Sequence, residues 1–198
     1  MKHLLFTLIL SLFVANSQAA VQPTGEYIQP DNLFPKVMFV TSLGDITVEL
    51  DRMKAAITVN NFLSYVAAKR YEDTIFHRLE HNFVLQGGGY TTKMESVDEF
   101  PAIINESGNG IKNDQYTISM ARQYTPHSAT SQFFFNLADN DSLNPGRNWG
   151  YTVFGNIVAG EDVLEKLEGI ETDISPELGW PSFPTKKIVL IKVQILAE

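Results

Sequence analysis

No cysteine occurs among the 198 residues, and that absence removes whole classes of chemistry. Thiol nucleophiles, thiol–disulfide exchange and every cysteine-based metal site are excluded. The fold must rest on a hydrophobic core without cross-links. Positive charge is also scarce: 15 Lys and Arg stand against 23 Asp and Glu, giving a formal charge of −8 and a pI near 5.0. No basic cluster exceeds the pairs Lys69-Arg70 and Lys186-Lys187, so no nucleic-acid partner is implied. There is no G-x-S-x-G nucleophile elbow, and no Lys-Ser/Thr follows Gly87-Gly88-Gly89 as a phosphate loop requires. Long apolar runs are missing too. Leu4 to Val14 falls short of the roughly 20 residues a membrane-spanning helix needs.

That short run has the layout of a leader instead. Lys2 and His3 precede it, and Ser17-Gln18-Ala19 supplies the small-x-small pattern of a cleavage site. The expectation is a cleaved signal peptide over residues 1–19, export to a bacterial periplasm, and no stable membrane association afterwards. Residues 20–35 carry three of the nine prolines and no clear period, which predicts an irregular lead-in. Over residues 36–198 no repeat or linker interrupts the chain, and 44% hydrophobic content suffices for one core.

Periodicity suggests the order of elements. Val37 to Thr41 is rich in β-formers, Leu43-Gly44-Asp45 signals a turn, and Ile46, Val48 and Leu50 alternate, so a hairpin is expected. Val59, Phe62, Leu63, Val66 and Ala67 fall at helical spacing, which predicts a helix capped by Thr58 and ending near Arg70. Further strands are expected at Thr74 to Leu79, Phe83 to Gln86, Tyr116 to Ala121, Gln132 to Phe135, Tyr151 to Val158 and Ile188 to Leu196. A short helix is expected from about Glu161 to Leu167, and loops over 87–114, 122–130 and 137–150. Many short strands, two helices and no βαβ alternation point to a mainly β, closed or nearly closed antiparallel barrel.

The most informative stretch is Thr74 to Tyr90, TIFHRLEHNFVLQGGGY. In extended chain Val84 and Gln86 share a face, and Leu85 takes the other. Ser131 to Asn136 repeats this arrangement, with Gln132 and Phe134 on one face and Phe133 opposite. Two such strands with Arg78 nearby describe a shallow apolar site with fixed hydrogen-bond donors, suited to binding and polarising an amide. It contains no candidate nucleophile. The triple glycine marks a turn where the backbone passes close to something. Singly, each of these side chains is more often structural than catalytic; the constellation is what carries the argument. A rival pattern overlaps it. His77, Glu80 and His81 match the H-x-x-E-H of inverted zinc peptidases, a chemistry that needs both histidines on one helix face. The flanks here are β-rich.

Phe76-His77-Arg78-Leu79 followed by Phe83-Val84-Leu85-Gln86-Gly87-Gly88 resembles the central signature of cyclophilins. Ser119-Met120-Ala121, Ser131-Gln132-Phe133-Phe134 and Val153-Phe154-Gly155 resemble three further segments of that family, in the right order. The resemblance runs from about Lys36 to the C-terminus and is greatest to the bacterial exported branch. It implies a closed eight-stranded antiparallel barrel capped by two α-helices. It also implies cis–trans isomerisation of X-Pro bonds in unfolded or partly folded polypeptides, without cofactor or metal. Arg78 is implied as the principal catalytic group and Gln86 as the holder of the substrate backbone. Phe83, Val84, Phe134 and Leu143 are implied as the proline pocket. Ala121 and Arg122 would line the groove through their backbone, Gln132 would support it, and His77 would be structural. Where many members carry a pocket tryptophan, Ser142 or a neighbour stands here. Tyr151 occupies a groove position where many have histidine. Both departures predict weak inhibition by the family's cyclic peptide inhibitor, cyclosporin. A monomer is expected. The competing class is a chaperone that binds proline-containing segments with little turnover.

Overall fold

The computed structural model describes residues 24–176 and 179–197, so the expected leader lies outside the described residues. The expected hairpin forms from β1 (Lys36–Thr41) and β2 (Gly44–Leu50). Its register sets Val37 opposite Val48 and Phe39 opposite Ile46, all four fully buried. One face of each strand is therefore core, as the period of two requires.

Helix α1 (Ala56–Ala67) follows, and its Val59, Phe62 and Leu63 are fully buried. Thr58 does not cap it. The N-cap position is Ala55, which offers no side-chain oxygen. The orphan N–H groups of Ile57 and Thr58 donate instead to the Glu106 carboxylate at 3.2 and 2.8 Å, and the Thr58 hydroxyl adds a bond of 2.7 Å. A negative group at the positive end of the helix is favourable on electrostatic grounds as well. The helix also stops earlier than expected. Lys69 adopts φ +58°, its N–H returns to Val66 and that of Arg70 to Tyr65. These two bonds are the Schellman closure of a helix C-terminus.

The strand expected at Thr74 to Leu79 is split at His77 into β3 (Thr74–Phe76) and β4 (Arg78–Glu80), followed by β5 (Val84–Gly87). The 87–114 segment, expected as loop, opens with β6 (Tyr90–Thr91), which pairs with β3. Then come β7 (Thr117–Met120), β8 (Phe133–Asn136), β9 (Val153–Ala159) and α2 (Glu161–Glu168), each within one or two residues of expectation. A small hairpin that periodicity did not indicate, β10 (Thr172–Asp173) with β11 (Phe183–Pro184), precedes the last strand, β12 (Ile188–Ile195).

Ten strands form one antiparallel sheet in the order β4-β5-β8-β7-β9-β2-β1-β12-β3-β6. The architecture is mainly β with two helices, as expected, but the ladder divides into ten strands and not eight. β3 and β4 are separated only by His77, yet they lie near opposite ends of the strand order, so the sheet curls round on itself. Inside the curl, Phe133 meets Phe39, Phe62, Tyr71 and Phe76 edge-on, with ring centroids 5.4 to 6.0 Å apart. Such edge-to-face aromatic contacts stabilise beyond the area they bury. Helix α1 closes this core through Phe62, which also packs on Phe154.

The lead-in is not a loose tail over the residues described. Arg52, only 8% exposed, donates to the carbonyls of Gln29, Asn32, Ile28 and Gly25 at 2.6 to 3.3 Å, and to Asn60 in α1. Gly25 lies so close to α1 that a Cβ there would sit 2.1 Å from the Asn60 carbonyl oxygen. Among the described residues no helix is long and apolar enough to cross a membrane.

Candidate active site

Register assembles the site. Arg78 pairs with Gln86 across β4 and β5, and Gln86 pairs with Phe134 across β5 and β8. Directly opposed residues in a sheet project to the same face, so these three form one row on the outer wall. The adjacent row, Leu79, Leu85 and Phe135, is fully buried in the core. The alternation expected from sequence is therefore what turns arginine and glutamine outward.

Above the row lies a hollow of about 300 Å³ lined by Arg78, Phe83, Val84, Gln86, Ala121, Arg122, Phe134, Leu143 and Tyr151. Nine of the ten expected site residues thus meet in one place. The tenth, Gln132, stands beside it and accepts a hydrogen bond from Gln86 Nε2 at 2.8 Å. Gln86 Oε1 in turn accepts from Arg78 Nη1 at 3.3 Å. The chain Arg78–Gln86–Gln132 fixes the orientation of both amides.

The Arg78 guanidinium sits 5.8 Å from the Phe83 ring centroid, and its Nη2 donates to Glu80 at 2.6 Å. Both partners of this ion pair are more than a third exposed. Such a pair orients the guanidinium without removing it from solvent. A guanidinium carries five N–H donors, and Glu80 and Gln86 are its only hydrogen-bond partners among the described residues. Donors remain for a ligand.

Ala121 and Arg122 form the far wall. The Arg122 side chain is engaged there too. It donates to the carbonyls of Gly150 at 3.1 Å, Gln123 at 2.9 Å and Tyr124 at 3.3 Å, and to that of Trp149. It also lies over the Tyr151 ring at 4.6 Å, and that ring packs edge-on against Phe134. One cation therefore ties the 122–130 and 144–151 loops together. Ser142, which the resemblance sets at or next to the family's tryptophan position, is exposed on a single 3-10 turn and does not line the hollow, whereas its neighbour Leu143 does.

Behind the hollow is a polar network that sequence reasoning missed. Asn113 Nδ2 donates to the carbonyls of Leu143 and Tyr151, at 3.2 and 3.4 Å, and its Oδ1 accepts from Ser119 at 2.7 Å. Asn140 donates to the Phe83 carbonyl and to Asn136, both at 2.8 Å. These buried amides position the backbone of three pocket residues. Their spacing carries no period, and asparagine in loops ordinarily reads as turn chemistry.

The triple glycine passes close to three side chains. A Cβ on Gly87 would meet the Phe76 ring at 2.9 Å, one on Gly88 the Phe133 ring at 2.8 Å, and one on Gly89 the Gln132 amide at 2.7 Å. His77 sits where β3 gives way to β4 and is 6% exposed. Burial, reinforced by the Arg78 charge, pushes its pKa down to about 4, with the Ile75 backbone and Gln132 side chain partly opposing. The zinc reading fails on geometry. His77 is buried in extended chain, His81 is exposed on a turn, and Glu80 is paired with Arg78. Among the described residues no group of three potential ligands forms.

Comparison with known proteins places the chain in a family. Residues 36–195 match the family model described as cyclophilin type peptidyl-prolyl cis-trans isomerase/CLD. The chain belongs to that family and is a peptidyl-prolyl cis-trans isomerase. It is 43% identical over 160 residues to the isomerase cyp18 of Streptomyces antibioticus, covering 79% of this chain and 95% of that one. Over 140 residues it is 45% identical to isomerase B of Escherichia coli, covering 69% and 85% of the two chains. A crystal structure of a cyclophilin type isomerase from Cryptosporidium parvum superposes with a TM-score of 0.69 at 26% identity, covering 83% of this chain and 99% of that one. A second structure of that protein, in the presence of the dipeptide Ala-Pro, gives 0.68 at 25% identity, covering 82% and 99%.

Proposed function

We propose that the enzyme accelerates X-Pro isomerisation by donating a hydrogen bond from Arg78 to the prolyl nitrogen in the twisted transition state. The planar peptide resists rotation by ~18–20 kcal/mol because resonance gives its C–N bond double-bond character. Twisting localises the nitrogen lone pair, which can then accept a bond that the planar amide cannot. A guanidinium is always charged and rigid, so it stabilises the twisted form over both planar ones, as catalysis requires. The proline ring sits in the hollow of Phe83, Val84, Phe134 and Leu143, and Gln86 holds the backbone on its other side while the preceding carbonyl swings. The observation that carries this reading is the Arg78 guanidinium at the rim of a hollow walled in part by Phe83, Val84, Phe134 and Leu143, with N–H donors unused among the described residues. The Ala-Pro dipeptide present with the related Cryptosporidium protein supports a proline-containing peptide as substrate.

The substrates we infer are exported polypeptides whose folding waits on X-Pro bonds, because spontaneous isomerisation takes ~10–100 s. The leader expected over residues 1–19 would place the mature, monomeric enzyme in the periplasm; cell fractionation with N-terminal sequencing tests this. We also take β3 and β4 as one strand bent at His77 and β6 as a side branch. On that count the sheet is a closed barrel of eight strands, with Arg78 next to the bend. The deciding experiment is Arg78→Ala in a proline-peptide isomerisation assay. The expected result is a fall in kcat/KM of about 10²–10³-fold, the usual scale for losing one transition-state donor, with peptide binding weakened far less. Turnover equal to wild type would reject Arg78 as the catalytic group; binding without turnover in the wild type would favour the chaperone reading.

A further inference from the structure

Arg78 is a wall shared by two hollows. Besides the one that takes proline, a second of about 310 Å³ is lined by His77, Arg78, Tyr90, Gln132, Trp180 and Pro181. We propose that this second hollow is a substrate subsite that takes an aromatic side chain lying within two residues of the prolyl bond. The proposal rests on the isomerase reading above.

Three rings form a corner there. Tyr90 lies 4.9 Å from His77 and 4.9 Å from Trp180, and His77 lies 6.2 Å from Trp180, with interplanar angles between 60° and 74°. Rings set edge-to-face in this way leave faces and edges for a further aromatic ring, the arrangement that aromatic quadrupoles favour. A cationic side chain is disfavoured because the Arg78 charge forms part of the wall. A carboxylate would compete with Glu80, already bonded to Arg78 at 2.6 Å, and would find mainly apolar surroundings.

The corner is built rather than incidental. Tyr90 is held in β6 opposite Ile75 of β3. Trp180 comes from the segment between β10 and β11. Its carbonyl accepts from Ser175 at 2.7 Å, and the Ser182 carbonyl accepts from Leu79 of β4 at 2.8 Å. The hairpin is thus fastened to the strand that carries Arg78. A polypeptide whose proline occupies the first hollow has the second within reach across one guanidinium.

The test is isomerisation of peptides in which phenylalanine or alanine is placed in turn at each of the two residues before and after X-Pro. Wild type is expected to prefer phenylalanine at one or more positions by about 3- to 10-fold in kcat/KM, the scale of one aromatic contact. Trp180→Ala should reduce that ratio towards unity, and Trp180→Phe should retain it. The chain has two tryptophans, so Trp149→Phe leaves Trp180 alone to report by fluorescence in an otherwise intact corner. Its emission should shift on titration with the preferred phenylalanine peptide and not with the alanine one. No preference at any position, an equal preference in Trp180→Ala, or unmoved Trp180 emission would overturn the subsite. Failure of the wild type to isomerise even the alanine peptides would instead remove the isomerase reading beneath it.

Discussion

At His77, burial and the neighbouring Arg78 charge act in the same direction, holding the imidazole neutral in the folded state. An unfolded histidine titrates near 6.5, whereas the folded one titrates near 4. The unfolded chain therefore binds this proton first, and stability present above pH 6.5 is lost as pH falls through the window down to about 4. Between pH 7 and pH 5 the expected loss from this residue is about 2 kcal/mol by linkage. Urea unfolding at the two pH values should show it, and His77→Gln should remove about that much of the pH dependence. An equal dependence in the variant would mean that carboxylates govern the acid limb. Two other positions carry the expectation of weak cyclosporin binding. Ser142 contributes no ring to the hollow, and Tyr151 is engaged by Phe134 and Arg122. Cyclosporin is accordingly expected to inhibit weakly; an inhibition constant on the order of nanomolar, equivalent to roughly −12 kcal/mol of binding, would contradict this.

Helix α1 shows how an element can be closed by residues outside its own pattern. Its N-terminus is satisfied by Glu106, 48 residues away, which also pins the long 87–114 segment to the core. Its C-terminus is closed with Lys69 in the left-handed region, where a side chain costs roughly 1–2 kcal/mol relative to glycine. The Lys69–Glu72 contact at 3.8 Å is solvent-exposed and offsets little of that. Lys69→Gly is thus expected to raise stability by up to about 1 kcal/mol, after allowing for glycine's greater unfolded-state entropy. A shift of the urea midpoint at unchanged slope reads it out. A destabilised variant would show that the lysine makes contacts that outweigh the backbone term.

Over the whole molecule, Arg52 joins the lead-in to α1 through a single cation. Four backbone carbonyls and Asn60 surround it, and it is almost fully buried. Truncation would leave several buried acceptors unpaired, each costing of order 1–3 kcal/mol when no water reaches it. Arg52→Ala is expected to lose about 3 kcal/mol and to expose residues 24–35 to limited proteolysis before the rest of the chain. Cleavage no faster than in wild type would mean that Gly25 against Asn60, with packing alone, holds the segment down.

Much of this molecule could be read from local pattern because the pattern has a short physical cause. Alternation of Val84, Leu85 and Gln86, and of Gln132, Phe133 and Phe134, follows from the pleat of an extended chain, so the facing of the site was legible before any pairing was known. Helical spacing from Val59 to Val66 likewise showed which stripe of α1 would be buried. The strand register that sets Arg78 beside Gln86 and Phe134 is different in kind. It depends on which strands become neighbours, and so do the Asn113 network, the Glu106 cap, the Arg52 anchor and the approach of Trp180 to Arg78. Most of these contacts join residues 20 or more positions apart, where no periodicity links the partners. Sequence alone determined which side chains face outward together with an arginine; the curl of the sheet decided what else would face them.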